Sequence, residues 1–139
     1  MPHKSTTPDL VEIVASLFEA ASRGDWSAVV APYAADVIWE SEDGITSALG
    51  ARAVRAFWEE WAGTFEDLVI EVESIVDLGG GIVYAVYRQQ GRMAGSSAPL
   101  TASGVLVYEW QDGTIVRVLA RADVDEARAT AERLAEERG

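Results

Sequence analysis

Four strand candidates in close succession dominate the second half of this chain, and they decide what the first half must do. Residues 67–77, 81–92, 99–110 and 114–122 are rich in Val, Ile, Leu and Tyr. Gly79, Gly80 and Gly81 separate the first pair, and Asp112 and Gly113 separate the last. Asp-Gly between apolar runs is a strong hairpin signal, because both central residues of the tight turn need a positive φ. Side chains alternate between faces along a strand. Here both faces are apolar: Val83, Ala85 and Tyr87 alternate with Tyr84 and Val86, and Leu106 and Tyr108 alternate with Val105 and Val107. Such a sheet needs cover on both sides.

The first half supplies helices. Thr7 and Pro8 read as a helix cap followed by proline at the first helical position, ahead of Leu10, Ile13, Val14, Leu17 and Ala21 at helical spacing. Gly24 closes that helix, and Asp25 opens a second over residues 26–34, with Pro32 distorting its end. Residues 37–40 read as a strand, 41–50 as a turn-rich loop and 51–63 as a third helix. Residues 124–137 close the chain as a helix with a narrow stripe of Val124, Ala127, Ala131 and Leu134. The expected class is α+β, a curved antiparallel sheet wrapped around helices. Residues 1–8 read as a flexible tail and 9–139 as one domain, which suits a length of 139 residues.

Composition excludes several chemistries. With no cysteine there is no disulfide, thiolate metal site or Cys nucleophile. The only histidine is His3, in the tail, so histidine acid–base relays and histidine-held metals have no support. A net charge of −12 repels phosphate backbones and anionic lipids, which argues against nucleic-acid and membrane partners. No apolar run is long enough to span a bilayer, and MPHKSTTP lacks the apolar core of a signal peptide, so a cytoplasmic location is the default expectation.

Four stretches, "RGDWSAVVAPYAADVIWE", "GARAVRAFWEEW", "YEWQDGTIVRV" and "ADVDEA", stand in an order and spacing that resemble the nuclear-transport-factor-2-like superfamily. The resemblance is to its polyketide-cyclase-like (SnoaL-like) and ketosteroid-isomerase-like members. It implies a cone: a bent, mixed or antiparallel sheet around three N-terminal helices, with an extra C-terminal helix here. Isomerases, cyclases, dehydratases, epoxide hydrolases and non-catalytic binding proteins share that fold, so the fold leaves function open. The isomerase's base position falls on Ser41, and its oxyanion-hole Tyr and Asp fall on Leu17 and near Leu106. All three are replaced. Arg121 and Asp123 have the spacing of an epoxide-hydrolase pair, but at a strand exit, where the match reads as accidental.

The register the resemblance implies turns Trp39 and Ser41, then Val83, Ala85, Tyr87 and Gln89, then Leu106, Tyr108 and Trp110, then Val116, Val118, Ala120 and Ala122, toward the interior. Helix positions Leu17, Phe18, Phe57, Trp58 and Trp61, together with Tyr33, complete the expected ligand wall. Such a wall suits an apolar small molecule held by one or two hydrogen bonds. The same rings can also simply fill the cone. Glu40, beside Glu42 and Asp43 at the expected mouth, is the acid–base candidate, since an apolar pocket raises a carboxyl pKa toward neutrality. Two functions stay open: isomerase-, cyclase- or dehydratase-like proton chemistry on an apolar carbonyl compound without metal or cofactor, and a non-catalytic ligand-binding or dimerisation module. The apolar outer face, with Ile115 and Leu119 added to it, is expected to pack against the same face of a second copy of the chain as a homodimer, with partial cover by the terminal helix as the alternative.

Overall fold

The structure, a computed structural model, describes residues 9–41 and 47–138. Its helices are α1 (Leu10–Ser22), α2 (Trp26–Val30), α3 (Ala51–Ala62) and α4 (Val124–Arg138). Its strands are β1 (Tyr33–Glu40), β2 (Ser47–Leu49), β3 (Phe65–Gly79), β4 (Ile82–Met93), β5 (Pro99–Gln111) and β6 (Thr114–Arg121). The strands form one sheet in the order β2-β1-β6-β5-β4-β3, with β1 parallel to β6 and every other pair antiparallel. The sheet does not close into a barrel, and the fold is the expected α+β cone.

Local chemistry moves several boundaries. Thr7 and Pro8 lie outside the described residues, and the cap of α1 is Asp9, whose carboxylate accepts from the Val11 and Glu12 amides at 3.0 and 3.3 Å. The second helix stops at Val30, four residues short of expectation. Pro32 cannot continue it, and the Pro32 carbonyl instead accepts from Ile115 N at 2.9 Å, which starts β1 at Tyr33. The expected loop contains β2, short but paired with β1 from Ile38 to Glu40. Gly50 then turns the chain into α3 with φ +92°, and a Cβ there would sit 3.0 Å from the Ala35 carbonyl. At the last hairpin Asp112 and Gly113 both take positive φ, 53° and 83°, as a two-residue turn demands.

Each face of the sheet has its own core. On one, Val14, Leu17 and Phe18 of α1 and Val54 and Trp58 of α3 meet Tyr33, Val37, Trp39, Val83, Ala85, Leu106, Tyr108, Trp110 and Val118. On the other, Ala127 and Ala131 of α4 sit on Ile82, Tyr84, Val105, Val107 and Leu119. The terminal helix therefore covers part of the apolar outer face, while Ile38 and Leu49 at the β1–β2 end of the sheet stay exposed. One expectation reverses: Ile115 belongs to the inner core, fully buried, and Val116 does not. A bulge is the reason. Glu109 pairs with Arg117 but Trp110 pairs with Ile115, so Val116 is an extra residue that shifts the alternation by one.

A buried carboxylate latches α4 in place. Glu109, with its side chain 9% exposed, is gripped by Arg117 of β6 and lies 3.5 Å from the Arg138 guanidinium at the end of α4. Arg138 also donates to the Gly80 and Trp110 carbonyls. Among the described residues, no helix is long and apolar enough to cross a membrane.

Candidate functional site

The inner core encloses a cavity between the first two helices, α3 and the middle of the sheet. Leu17, Phe18 and Ala21 of α1 line it, with Val29 of α2, Trp58 of α3 and Tyr33 of β1. Ile70 of β3, Tyr87 and Gln89 of β4, and Leu106 and Tyr108 of β5 complete the wall. Tyr87, Gln89, Leu106 and Tyr108 arrive there by strand alternation, because Ala85 pairs with Leu106 and Val83 with Tyr108 on the same face. The space open to the centre of a water-sized sphere is only ≈ 20 Å³. That holds about one small polar group, since a water needs roughly 10–15 Å³ by this measure.

The polar equipment is phenolic. Burial pushes the Tyr33 and Tyr87 hydroxyls above the ordinary phenol pKa, and Tyr108 well above it, with the neighbouring Tyr33 and Tyr87 adding to the rise. All three therefore remain protonated donors at neutral pH. Tyr87 takes its position because its cross-strand partner is Gly104, over which the ring lies; a Cβ there would fall 2.6 Å from the hydroxyl oxygen. Phe18 packs against the Tyr87 ring at 5.7 Å between centroids. Two more polar side chains belong to the wall, Trp58 and Gln89. Trp58 Nε1 and Gln89 Oε1 are buried without a hydrogen-bond partner among the described residues.

Trp58 is also the hub of an aromatic cluster. Trp26 stacks on it at 5.9 Å, while Trp39 and Trp61 meet it edge-on, each at 5.3 Å. Phe57 leans on Trp39 at 5.8 Å. Of the residues expected to hold ligand, Leu17, Phe18, Tyr33, Trp58, Tyr87, Gln89, Leu106 and Tyr108 meet at the cavity. Trp39, Trp110 and Val118 are buried in the surrounding core, and Phe57, Trp61 and Ala120 pack against it. Ser41 is half-buried just past the end of β1. Sequence reasoning missed Ala21, Val29 and Ile70. Ala21 follows Leu17 by one helical turn, and Ile70 pairs with Gln89, so both were within reach of periodicity.

Glu40 is not at the cavity. It alternates with the buried Trp39, so its carboxylate points to the opposite face, 3.9 Å from Arg117. Glu42 and Asp43 lie outside the described residues. Among the described residues that line the cavity there is no carboxylate. Leu17 and Leu106, at the places that the resemblance gives to an isomerase's oxyanion hole, present only methyl groups to it. Asp123 accepts from Glu126 N at 3.0 Å as the cap of α4, and Arg121 donates to the Ala120 carbonyl at 2.9 Å, so their spacing carries no catalytic pair. Among the described residues, no group of three acidic side chains could hold a metal ion.

A shallower groove adjoins the cavity between α1 and β3. It offers ≈ 280 Å³, is lined by Ala15, Phe18, Glu19, Ser22, Ile70 and Val72, and shares Phe18 and Ile70 with the cavity. Ser22 Oγ donates to the Ile70 carbonyl at 3.0 Å and fixes the two elements to each other.

The fold recurs in solved structures. A protein of ketosteroid isomerase-like fold from Catenulispora acidiphila, in complex with trimethylamine, superposes with a TM-score of 0.69 at 15% identity, covering 91% of this chain and 94% of that one. An NTF2-like protein of unknown function from Burkholderia pseudomallei gives 0.73 at 19% identity, covering 88% and 97%. TerC, co-crystallised with polyporic acid, gives 0.69 at 14% identity, covering 88% and 97%. At these identities the likeness speaks for the fold. No curated protein matches the sequence. The model of the SnoaL-like domain matches residues 14–118, a span from the middle of α1 through the bulged part of β6 that contains every residue lining the cavity. The chain belongs to the SnoaL-like domain family.

Proposed function

We propose that this protein binds a small, mostly apolar molecule in the cone and holds it by hydrogen bonds, without carboxylate acid–base chemistry. The observation that carries the reading is the composition of the wall: three protonated phenols, an amide, an indole and the Phe18 ring among aliphatic groups, with no acidic side chain among the described residues that line it. A general base must come within hydrogen-bond reach of the proton it removes. Glu40, the sequence's candidate, is on the other face of the sheet, so the binding alternative gains over the isomerase-like one. The ligands of two structural neighbours, trimethylamine and polyporic acid, fit the general picture of a fold that receives small organic molecules. The cavity is too small for a whole ring, so a ligand places one end inside and its body past Phe18 and Ile70, toward the groove along α1.

Trp58 reports on this site. Titrating the protein with toluene, phenol and cyclohexanone while following tryptophan emission should give saturable changes. Replacing Leu106 by Trp, which fills the cavity, should abolish them in a protein that still unfolds cooperatively. Saturable binding that survives L106W would place the ligand elsewhere and refute the proposal.

A further inference from the structure

The cavity and the groove beside it meet at two side chains. Phe18 of α1 and Ile70 of β3 line both spaces, so together they form the partition between them. Two sequence periods put them there. On α1, Leu17, Phe18 and Ala21 line the cavity, while Ala15, Phe18, Glu19 and Ser22 recur at the i, i+3, i+4, i+7 spacing of one helical stripe along the groove. Phe18 sits where the two stripes overlap. On the sheet, Ile70 pairs with Gln89 and Val72 with Tyr87, so the groove lies over β3, one strand beyond the β4 residues of the cavity. β3 is the last strand of the sheet, which places the groove at the sheet edge.

We propose that Phe18 sets the size of the ligand: a neutral two-ring molecule displaces the Phe18 ring and occupies cavity and groove as one site. This rests on the reading of the cone as a binding site and adds the size and class of what it takes. The two partition residues differ in freedom. Ile70 is β-branched and stiff at χ1, and its backbone carbonyl accepts from Ser22 Oγ at 3.0 Å. Phe18 is an aromatic residue inside a helix, where two χ1 wells are open to it and aim its ring differently. Its ring is held by that of Tyr87, 5.7 Å away between centroids. Giving up such a pair costs an entering molecule about two- to tenfold in affinity. The groove offers ≈ 280 Å³ against ≈ 20 Å³ in the cavity, so the second ring of the ligand has apolar surface of Ile70 and Val72 to cover there. Among the described residues, no Lys or Arg lines either space and Glu19 lines the groove, which disfavours an anion.

Cyclohexanone and 1-tetralone, one ring and two with the same carbonyl, test this by calorimetric titration. The wild-type protein should bind 1-tetralone about tenfold more tightly, since the second ring buries further apolar surface. Ala15 is half-buried and lines the groove but not the cavity. Ala15→Trp fills the groove from α1 and should weaken 1-tetralone about tenfold, which removes its advantage over cyclohexanone. Phe18→Leu shortens the partition and keeps it apolar, so it should widen that advantage by about two- to tenfold. If Phe18→Leu no longer unfolds cooperatively, Ala15→Trp decides alone. Wild-type affinity for 1-tetralone in Ala15→Trp, with Leu106→Trp still abolishing binding, confines the ligand to the cavity and overturns this inference alone. A ratio of the two ketones that a folded Phe18→Leu protein leaves unmoved also overturns it. If neither ketone binds the wild type, the binding reading fails and takes this inference with it.

Discussion

Gly104→Ala tests the packing that aims Tyr87 into the cavity. Gly104 has none of the positive φ angles of the turn glycines, so alanine fits its backbone. On backbone grounds alone the change should stabilise by about 0.4–1 kcal/mol, because the unfolded chain loses freedom. The side chain changes the sign. The new Cβ would lie 2.6 Å from Tyr87 Oη, 2.8 Å from Cζ and 3.1 Å from Cε1. The ring cannot swing away freely, since Phe18 packs against it. Overpacking of this kind costs about 1–3 kcal/mol. The net expectation is a loss of about 1–2 kcal/mol, or roughly 3–8 °C in Tm for a domain of this size. Urea unfolding followed by tryptophan emission measures it. In a Tyr87→Val background the same substitution should become neutral or stabilising, which gives a coupling energy of about 1.5–3 kcal/mol. A G104A protein as stable as the wild type, or a cycle without coupling, would refute the argument.

Three further outcomes follow from other parts of the molecule. Glu40→Gln should leave ligand affinity unchanged in the same titrations, because the carboxylate lies beside Arg117 on the far face of the sheet; an affinity change of tenfold or more would return Glu40 to the site. Glu109→Ala should destabilise by about 2 kcal/mol in denaturant unfolding, below the 3–5 typical of fully buried pairs because Arg117 and Arg138 keep part of their surface in water; a neutral effect would mean that α4 needs no latch. The buried phenols should weaken the fold in alkali. Their folded pKa values lie above the unfolded value of about 10, so stability is full below about pH 10 and falls above it, by up to about 1.4 kcal/mol per pH unit for each phenol. Absorbance titration of phenolate against unfolding midpoints checks this, and ordinary titration of all tyrosines near pH 10 in the folded protein would contradict it.

What the sequence made legible followed from strict alternation and helical spacing. Tyr87, Gln89, Leu106 and Tyr108 share a face because their strands pair without a slip through that region. Reading failed where the chain breaks its own period. One extra residue, Val116, turned Ile115 inward, and no local signal distinguishes that bulge from a regular strand. β3 shifts register three times, which hid Ile70 among the half-exposed positions of a long strand. Thr7 and Asp9 are both good capping residues, and hydrogen bonds to the Val11 and Glu12 amides select Asp9 as the cap of α1. Glu40 was assigned by its distance along the chain from the expected mouth. Its neighbour Trp39, buried and inward, already required Glu40 to face the other way.

The two faces of the sheet divide the labour of folding and binding. The outer face is closed by alanines of α4, which let the helix approach closely, and by an ion pair network that ends on Glu109. The apolar residues beneath α4 are thus covered within one chain, while Ile38 and Leu49 remain exposed. On the inner face the accounting does not close. Aromatic rings fill most of the cone, yet Trp58 Nε1 and Gln89 Oε1 are buried without hydrogen-bond partners among the described residues. A core selected only for stability would replace Gln89 by an apolar residue of the same size, since an unpaired buried acceptor costs about 1–3 kcal/mol. Gln89→Met tests the cost directly: removing an unpaired buried acceptor should raise the urea midpoint, and a midpoint that stays or falls would refute the argument.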